Sequence, residues 1–355
     1  MQQKRENWVD FAKGIGILLV VYGHVSRGIV NAGMAVDLAW FTVADSVIYS
    51  FHMPLFFFLS GLFLLPGLKK YGSRGLVAEK IDSILYPYLI WSLLQGGTEV
   101  LLSRFTTART NMTEVLSLLW QPRAQFWFLY VLFGLFVLMA ITLRQHQPVT
   151  GRSTLLAVGG ALAAWCLSVW LALPFPLDFL GGYLIFFLMG AYGFYWKDEL
   201  HRYLAPYAMP LLIASGLLFV SAEWLFHVPL RLLFSDHSPL NLLLACSGIM
   251  LVNGLAMSMV RSGIRWLQIF ETLGYYSMPV YLMHILAGSG IRIVLSRFLH
   301  IDSTWLHLLA GCAAGILLPV FVFRLTQQPA RRPLQYLFRP PAWLSFKPDR
   351  PVGGQ

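Results

Sequence analysis

Long apolar runs separated by short polar stretches set the pattern of this chain. A membrane-crossing helix needs about 20 largely apolar residues. Ten runs come near that length, at residues 9–30, 43–66, 81–103, 125–143, 153–173, 179–196, 206–224, 239–260, 274–291 and 304–324. The sixth is short and Gly-rich. The pattern predicts an all-α, polytopic membrane helix bundle of about ten spans. Residues 1–326 read as one transmembrane domain and 327–355 as a basic, Pro-rich cytoplasmic tail lying on the inner headgroups.

Charge orients the spans. With the N-terminus inside, 19 of the 26 Lys and Arg fall in inside segments. The other 7, Arg27, Arg104, Arg109, Arg123, Arg231, Arg292 and Arg297, fall outside. The positive-inside rule then predicts that both termini are cytoplasmic. Composition agrees with a membrane protein: of 355 residues, 57% are hydrophobic and 12% charged, and the mean hydropathy is +0.64. The net charge of +10 is what cytoplasmic loops of such a protein carry, and does not point to nucleic acid. Cys166, Cys246 and Cys312 have no disulfide or metal spacing.

Several short matches carry no function. Lys4 and Arg5 precede an apolar run, but no small-residue cleavage site follows, so the run reads as a retained first span. "KDEL" at 197–200 is internal. "NMT" at Asn111 is a chance-level sequon. "GCAAG", Gly311 to Gly315, reads as a helix-packing pattern. "MTEVLSLLW", in the stretch 104–124, reads as a short amphipathic helix, and 67–80 as a basic cytoplasmic loop.

The chemistry lies where ionisable groups interrupt apolar runs. On the first span, positions 10, 13, 17, 20 and 24 share one stripe. Lys13 and His24 are separated by about 20° in facing and about 16 Å in height. Such groups must face the bundle or a wet cavity. Asp10, three residues before Lys13, is placed to pair with it. His52 and His284 lie in other spans at a depth similar to His24, which predicts a shared cavity. Three His can hold zinc, but no acidic or Cys ligand has motif spacing to any of them, so no metal is expected. Bland readings stand beside these: Lys13 snorkelling to headgroups, His52 and His284 as hydrogen-bonded core residues, and Trp127 and Tyr130 as aromatic-belt residues. Glu99, Asp45 and Glu223 sit near span ends and read as interfacial.

Six ordered segments carry a family likeness: "DFAKGIGILLVVYGHV", "SFHMPLFFFLSGLFL", "PYLIWSLL", "FWFLYVLFGLF", "GGYLIFFLMGAY" and "LGYYSMPVYLMHIL". Together they resemble the bacterial acyltransferase family 3 membrane proteins, most of all the fucose 4-O-acetylase-like branch. The resemblance implies a multi-pass protein of the bacterial inner membrane. It implies transfer of an acyl group, usually acetyl, from cytoplasmic acyl-CoA to a hydroxyl of an extracytoplasmic glycan such as exopolysaccharide or lipopolysaccharide O-antigen. Its partners would be acyl-CoA, a glycan or lipid-linked sugar, membrane lipid and other polysaccharide-biosynthesis proteins. No bound cofactor is implied; acetyl-CoA, or another acyl-CoA, is the donor substrate.

The family's first-helix motif, a basic residue, ten residues and then His, falls on Lys13 and His24. Arg is commoner at the first position. A second family feature, Arg-x-x-Arg before a Pro-Tyr helix start, is incomplete: Lys80 and Ser83 precede Pro87 and Tyr88. On this reading Lys69, Lys70, Arg74 and Lys80 meet the acyl-CoA phosphates, unless they serve topology alone. Asp10 orients Lys13, Lys13 helps hold the donor, and the pantetheine arm threads past it toward His24. His24 is the general base, since imidazole titrates near neutrality. Ser277, Tyr281 and Trp127 are candidate oxyanion donors. His284 assists in placing the acceptor, with His52 nearby. The rival reading is a transporter or flippase for a polar small molecule or glycolipid, which also buries charge in a bundle. Against it, the chain lacks inverted repeats and paired broken helices.

Overall fold

The computed structural model describes residues 7–103, 110–143, 149–171, 173–236 and 238–346, with the side chains of 329–332 excepted. Lys4, Arg5, Arg104, Arg109, Arg144, Lys347 and Arg350, which enter the charge balance above, lie outside the described residues, as does the end of the tail. The described residues form helices and no strand. In chain order the α-helices are α1 (Asn7–Asn31), α2 (Leu38–Gly61), α3 (Leu64–Lys80), α4 (Tyr86–Leu101), α5 (Met112–Leu116), α6 (Trp127–Thr142) and α7 (Gly151–Trp170). They continue with α8 (Leu177–Tyr195), α9 (Lys197–Leu204), α10 (Ala208–His227), α11 (Leu240–Ser262), α12 (Gln268–Tyr275), α13 (Ser277–Ile293) and α14 (Thr304–Thr326).

Nine helical segments among the described residues are long and apolar enough to cross a membrane. The outer faces of several are apolar and exposed, for example Leu155, Leu217, Trp305 and Leu317. Apolar exteriors of this extent belong against lipid. The protein is therefore a multi-pass membrane protein. The predicted run 81–103 is not among the nine. It becomes a π-helical turn, Ile81–Leu85, followed by the 16-residue α4. Asp82, Gln95 and Glu99 make it too polar for lipid on all sides, and these groups are held by protein partners instead.

Residues 67–80, expected as a loop, lie in the helix α3, which breaks its geometry at Gly72 with φ 69°. Glycine tolerates that left-handed turn without steric cost. The start of α2 is set by Asp37, whose side chain accepts from the amides of Ala39 and Trp40. The expected amphipathic piece forms as α5 and a 3-10 turn, Ser117–Leu119. It turns Val115 and Leu118 inward and Leu116, Leu119 and Trp120 outward.

Helix α1 is the hub, packed against α2, α11, α12, α13 and α14. Surrounding it with protein is what lets it carry ionisable groups. Its approach to α12 is backbone to backbone: a β-carbon at Gly14 would land on the carbonyl of Phe270, and one at Gly274 on the carbonyl of Asp10. The small residues Gly311 and Gly315 of α14 receive Val25 and Val21 of α1, so "GCAAG" is a packing surface as expected.

Ranges along α1 give the bundle two ends, a near end where α1 begins and a far end where it finishes. The described part of the tail packs onto α4 at the near end. The Tyr86 hydroxyl donates to the Tyr336 carbonyl at 2.7 Å, and the Trp91 indole N–H donates to that of Leu337 at 2.8 Å. The Phe338 ring sits between Trp91 and Phe323. Asp82 accepts from the Ser345 hydroxyl and the Phe346 amide.

Candidate active site

The α1 stripe is real, and its two polar ends stand in different surroundings. At the near end Asp10 is buried, 4% exposed, and its carboxylate lies 4.0 Å from the Lys13 ammonium. Lys13 also stands 5.1 Å from the ring centre of Phe63, the residue that leads into α3. Between the ends, Ile17 and Val20 are 0% and 2% exposed. The stripe is thus packed shut at its middle, and an open path from Lys13 to His24, as expected above, is not present along it.

At the far end the rings of His24 and His284 have centroids 5.0 Å apart, inclined at 56°. Both line a cavity of about 260 Å³, together with Asn31, Ser289, Arg292 and His307. His284 is fully buried; its Nδ1 donates to the carbonyls of Tyr281 and Val280 at 2.8 and 3.1 Å. His52 does not join this pair. Its Nδ1 donates to the Ile48 carbonyl at 2.7 Å, and the ring of Tyr49 stands between the two sites, 4.5 Å from His52 and 6.4 Å from His24. Among the described residues no three His, Cys, Asp or Glu are placed to hold one metal ion.

The other expected site residues are dispersed. Trp127 packs with Phe179 and Tyr183 in an aromatic cluster. The Tyr281 hydroxyl is committed to the Gln125 carbonyl, although its ring lies 6.2 Å from that of His284. Ser277 begins α13, seven residues before His284, which is about 10 Å along the helix axis. It lies toward the near end, where Gly274 abuts Asp10. Lys69, Lys70 and Arg74 are exposed on α3, with Lys70 beside the Tyr71 ring. Lys80 turns inward, 2.8 Å from Glu79 and 4.4 Å from the Phe136 ring centre.

Three groups at the far end were missed from sequence. Arg27 was counted only as an outside charge; it forks onto Asp45 with two bonds of 2.7 Å. Its place three residues after His24 on the same helix was the available signal. Arg292, which donates to the Gly28 carbonyl, and His307, whose Nε2 donates to that of Ile301 at 2.8 Å, carry no local signal. The residues read as interfacial are paired: Glu99 with Arg123 at 3.2 Å, and Glu223, buried, with the Ser50 hydroxyl at 2.7 Å.

Comparison with known proteins agrees with this architecture. A family model described as an acyltransferase domain, of the family 3 type, matches residues 6–324. Nodulation protein NolL of Mesorhizobium japonicum is 28% identical over 253 residues, covering 70% of this chain and 65% of that relative's length. Nodulation protein NolL of Sinorhizobium fredii is 33% identical over 90 residues, covering 25% of this chain and 24% of the relative. No solved structure gives a significant match. The chain belongs to the acyltransferase family 3 of multi-pass membrane proteins.

Proposed function

We propose that the protein is a bacterial inner-membrane O-acyltransferase of the fucose 4-O-acetylase-like branch. It takes an acyl group, acetyl first among them, from cytoplasmic acyl-CoA and gives it to a hydroxyl of an extracytoplasmic glycan. The observation that carries this reading is the His24–His284 pair on the wall of a far-end cavity of about 260 Å³, on the helix that carries Lys13 at its other end. In this scheme the near end is cytoplasmic.

The chemistry follows from the groups present. The acceptor hydroxyl enters the far-end cavity and gives its proton to a ring nitrogen of His24 as its oxygen attacks the thioester carbonyl. The carbon–sulfur bond of the tetrahedral adduct then breaks, and the thiolate of CoA takes the proton back from His24. Asn31, Ser289 and Arg292 line the same cavity and supply N–H and O–H donors for the oxyanion. Lys69, Lys70 and Arg74 on α3 face solvent at the near end, where the polyanionic nucleotide of the donor would lie. Because Ile17 and Val20 close the stripe, the pantetheine arm reaches His24 by a route other than this face of α1, or after helices beside α1 part.

The test is acetyl transfer from labelled acetyl-CoA in membranes holding the wild type and His24→Ala at equal levels. Loss of at least about 10²-fold in the variant is expected for a missing general base. Near-normal transfer by His24→Ala would overturn the assignment, and labelled solute uptake without any acyl-CoA would favour transport instead.

A further inference from the structure

His284 holds an atom that nothing around it satisfies. Its Nδ1 faces two carbonyl oxygens, those of Tyr281 and Val280. Carbonyls only accept, so Nδ1 carries the hydrogen, and in the neutral ring Nε2 carries the lone pair. That Nε2 is buried and has no hydrogen-bond partner among the described residues. A buried acceptor left unmet is costly. His24 is the polar ring at hand, with centroids 5.0 Å apart. Two imidazoles joined by one N–H···N bond of ordinary length place their centroids roughly 5 Å apart. The ring nitrogens of His24 make no hydrogen bond to the described residues that would compete, and closing the bond to His284 asks for a turn of the His24 ring.

We infer that His284 is a positioning residue that fixes the tautomer of His24: His284 Nε2 accepts the N–H of His24 and thereby presents the other nitrogen of His24, lone pair outward, to the cavity. This rests on the reading of His24 as the general base. During transfer the acceptor's O–H bond breaks, its oxygen bonds the acyl carbon, and His24 gains the proton on its cavity side. The hydrogen between the two rings stays on His24, and His284 exchanges no proton. When the carbon–sulfur bond breaks, the thiolate takes the cavity-side proton and the pair returns to its starting state. The role is the one a carboxylate plays behind the His of a hydrolase triad. A neutral acceptor does it at membrane depth without adding a buried charge. Of the neighbouring groups, the Tyr281 hydroxyl is held by the Gln125 carbonyl and Arg27 by Asp45 and the Tyr49 ring, while the Tyr49 hydroxyl and His307 Nδ1 have no hydrogen-bond partner among the described residues.

The experiment compares His284→Gln, which keeps an acceptor oxygen, with His284→Leu, which keeps bulk without one. Transfer is measured from acetyl-CoA in membranes. Separately, nitrogen-15 solid-state NMR of histidine-labelled protein in lipid reads the tautomer of His24, assigned by difference against His24→Asn. We expect His284→Leu to lose up to about 10⁴-fold in kcat, the loss seen when a triad His is left in the wrong tautomer, with KM for acetyl-CoA little changed. His284→Gln should retain at least about a tenth of wild-type kcat, and His24 should show one tautomer in wild type and both in His284→Leu. Equal losses in the two variants, or a His24 tautomer unmoved by His284→Leu, would overturn the inference. A purely packing role for His284 predicts the opposite order, with Leu tolerated better than Gln. A wild type that holds one His24 tautomer but transfers no acyl group would remove the proposed function and leave the pairing standing; the NMR arm keeps the two failures apart.

Discussion

Arg27 grips Asp45 through two hydrogen bonds of 2.7 Å, and its guanidinium lies 3.4 Å from the centre of the Tyr49 ring. The pair joins α1 to α2 next to His24, and planar two-point geometry of this kind is specific to Arg. Arg27→Lys should therefore behave as a loss. The Arg27 side chain is 38% exposed, so solvent screens the pair. A coupling of about 1 kcal/mol is expected from a double-mutant cycle of Arg27→Ala with Asp45→Ala. Thermal unfolding in detergent at low and high salt checks it; additive effects of the two substitutions would deny the coupling.

Lys13 and His24 should fail differently. Lys13 lies about 16 Å from His24 along α1 and touches Asp10 and Phe63 instead. Lys13→Ala is expected to raise KM for acyl-CoA by roughly tenfold, about what one lost charge-assisted contact is worth, with a much smaller change in kcat. Steady-state kinetics in nanodiscs reads the split. A drop confined to kcat would place Lys13 in the chemical step.

The contact of α1 with α12 leaves no room for a side chain at Gly14 or Gly274. Gly274→Val should push α12 away from Asp10 and cost about 1–3 kcal/mol or prevent folding. Gly290→Val, on open surface of α13, is the control. Size-exclusion profiles and melting temperatures of the two variants should diverge by several degrees; equal profiles would count against the close approach.

Trp91 holds the tail through its indole N–H and the Leu337 carbonyl, 2.8 Å apart. Trp91→Phe removes that one donor and should cost about 0.5–1.5 kcal/mol of local stability. Amide hydrogen exchange across 334–346 is the direct readout, with faster exchange expected there and little change in α1.

The assignment of the near end to the cytoplasm is testable by labelling. In a variant with Cys166, Cys246 and Cys312 replaced by Ala, Ser303→Cys, in the polar connection before α14, should react with an impermeant maleimide from outside intact cells. Arg74→Cys should react only after the cells are opened. Both side chains are exposed, at opposite ends of the bundle. The reverse pattern would invert the topology.

Hydropathy made most of the fold legible, because lipid allows only helices with apolar exteriors. At 81–103 a helix forms as expected, but it is less apolar than the other spans, because Asp82, Gln95 and Glu99 find partners on distant segments that no local window contains. Hydropathy failed at 67–80, whose Gly and Lys content reads as loop while a break at Gly72 lets a helix continue. The α1 stripe was legible because 3.6-residue periodicity is local. The pairing of His24 with His284 was visible only as a shared depth. The parts played by Arg292 and His307 were not visible at all, since they depend on how α13 and α14 turn toward α1.

The closed middle of α1 has one more consequence. A catalyst that meets a charged donor on one side of a bilayer and a wet acceptor on the other risks becoming a leak. On the proposed function, the buried Ile17 and Val20 stand as an apolar barrier between the donor side and the acceptor side. Smaller or polar residues there would be expected to let ions through and run down the membrane potential, a hazard to the cell that a rate measurement alone would not reveal.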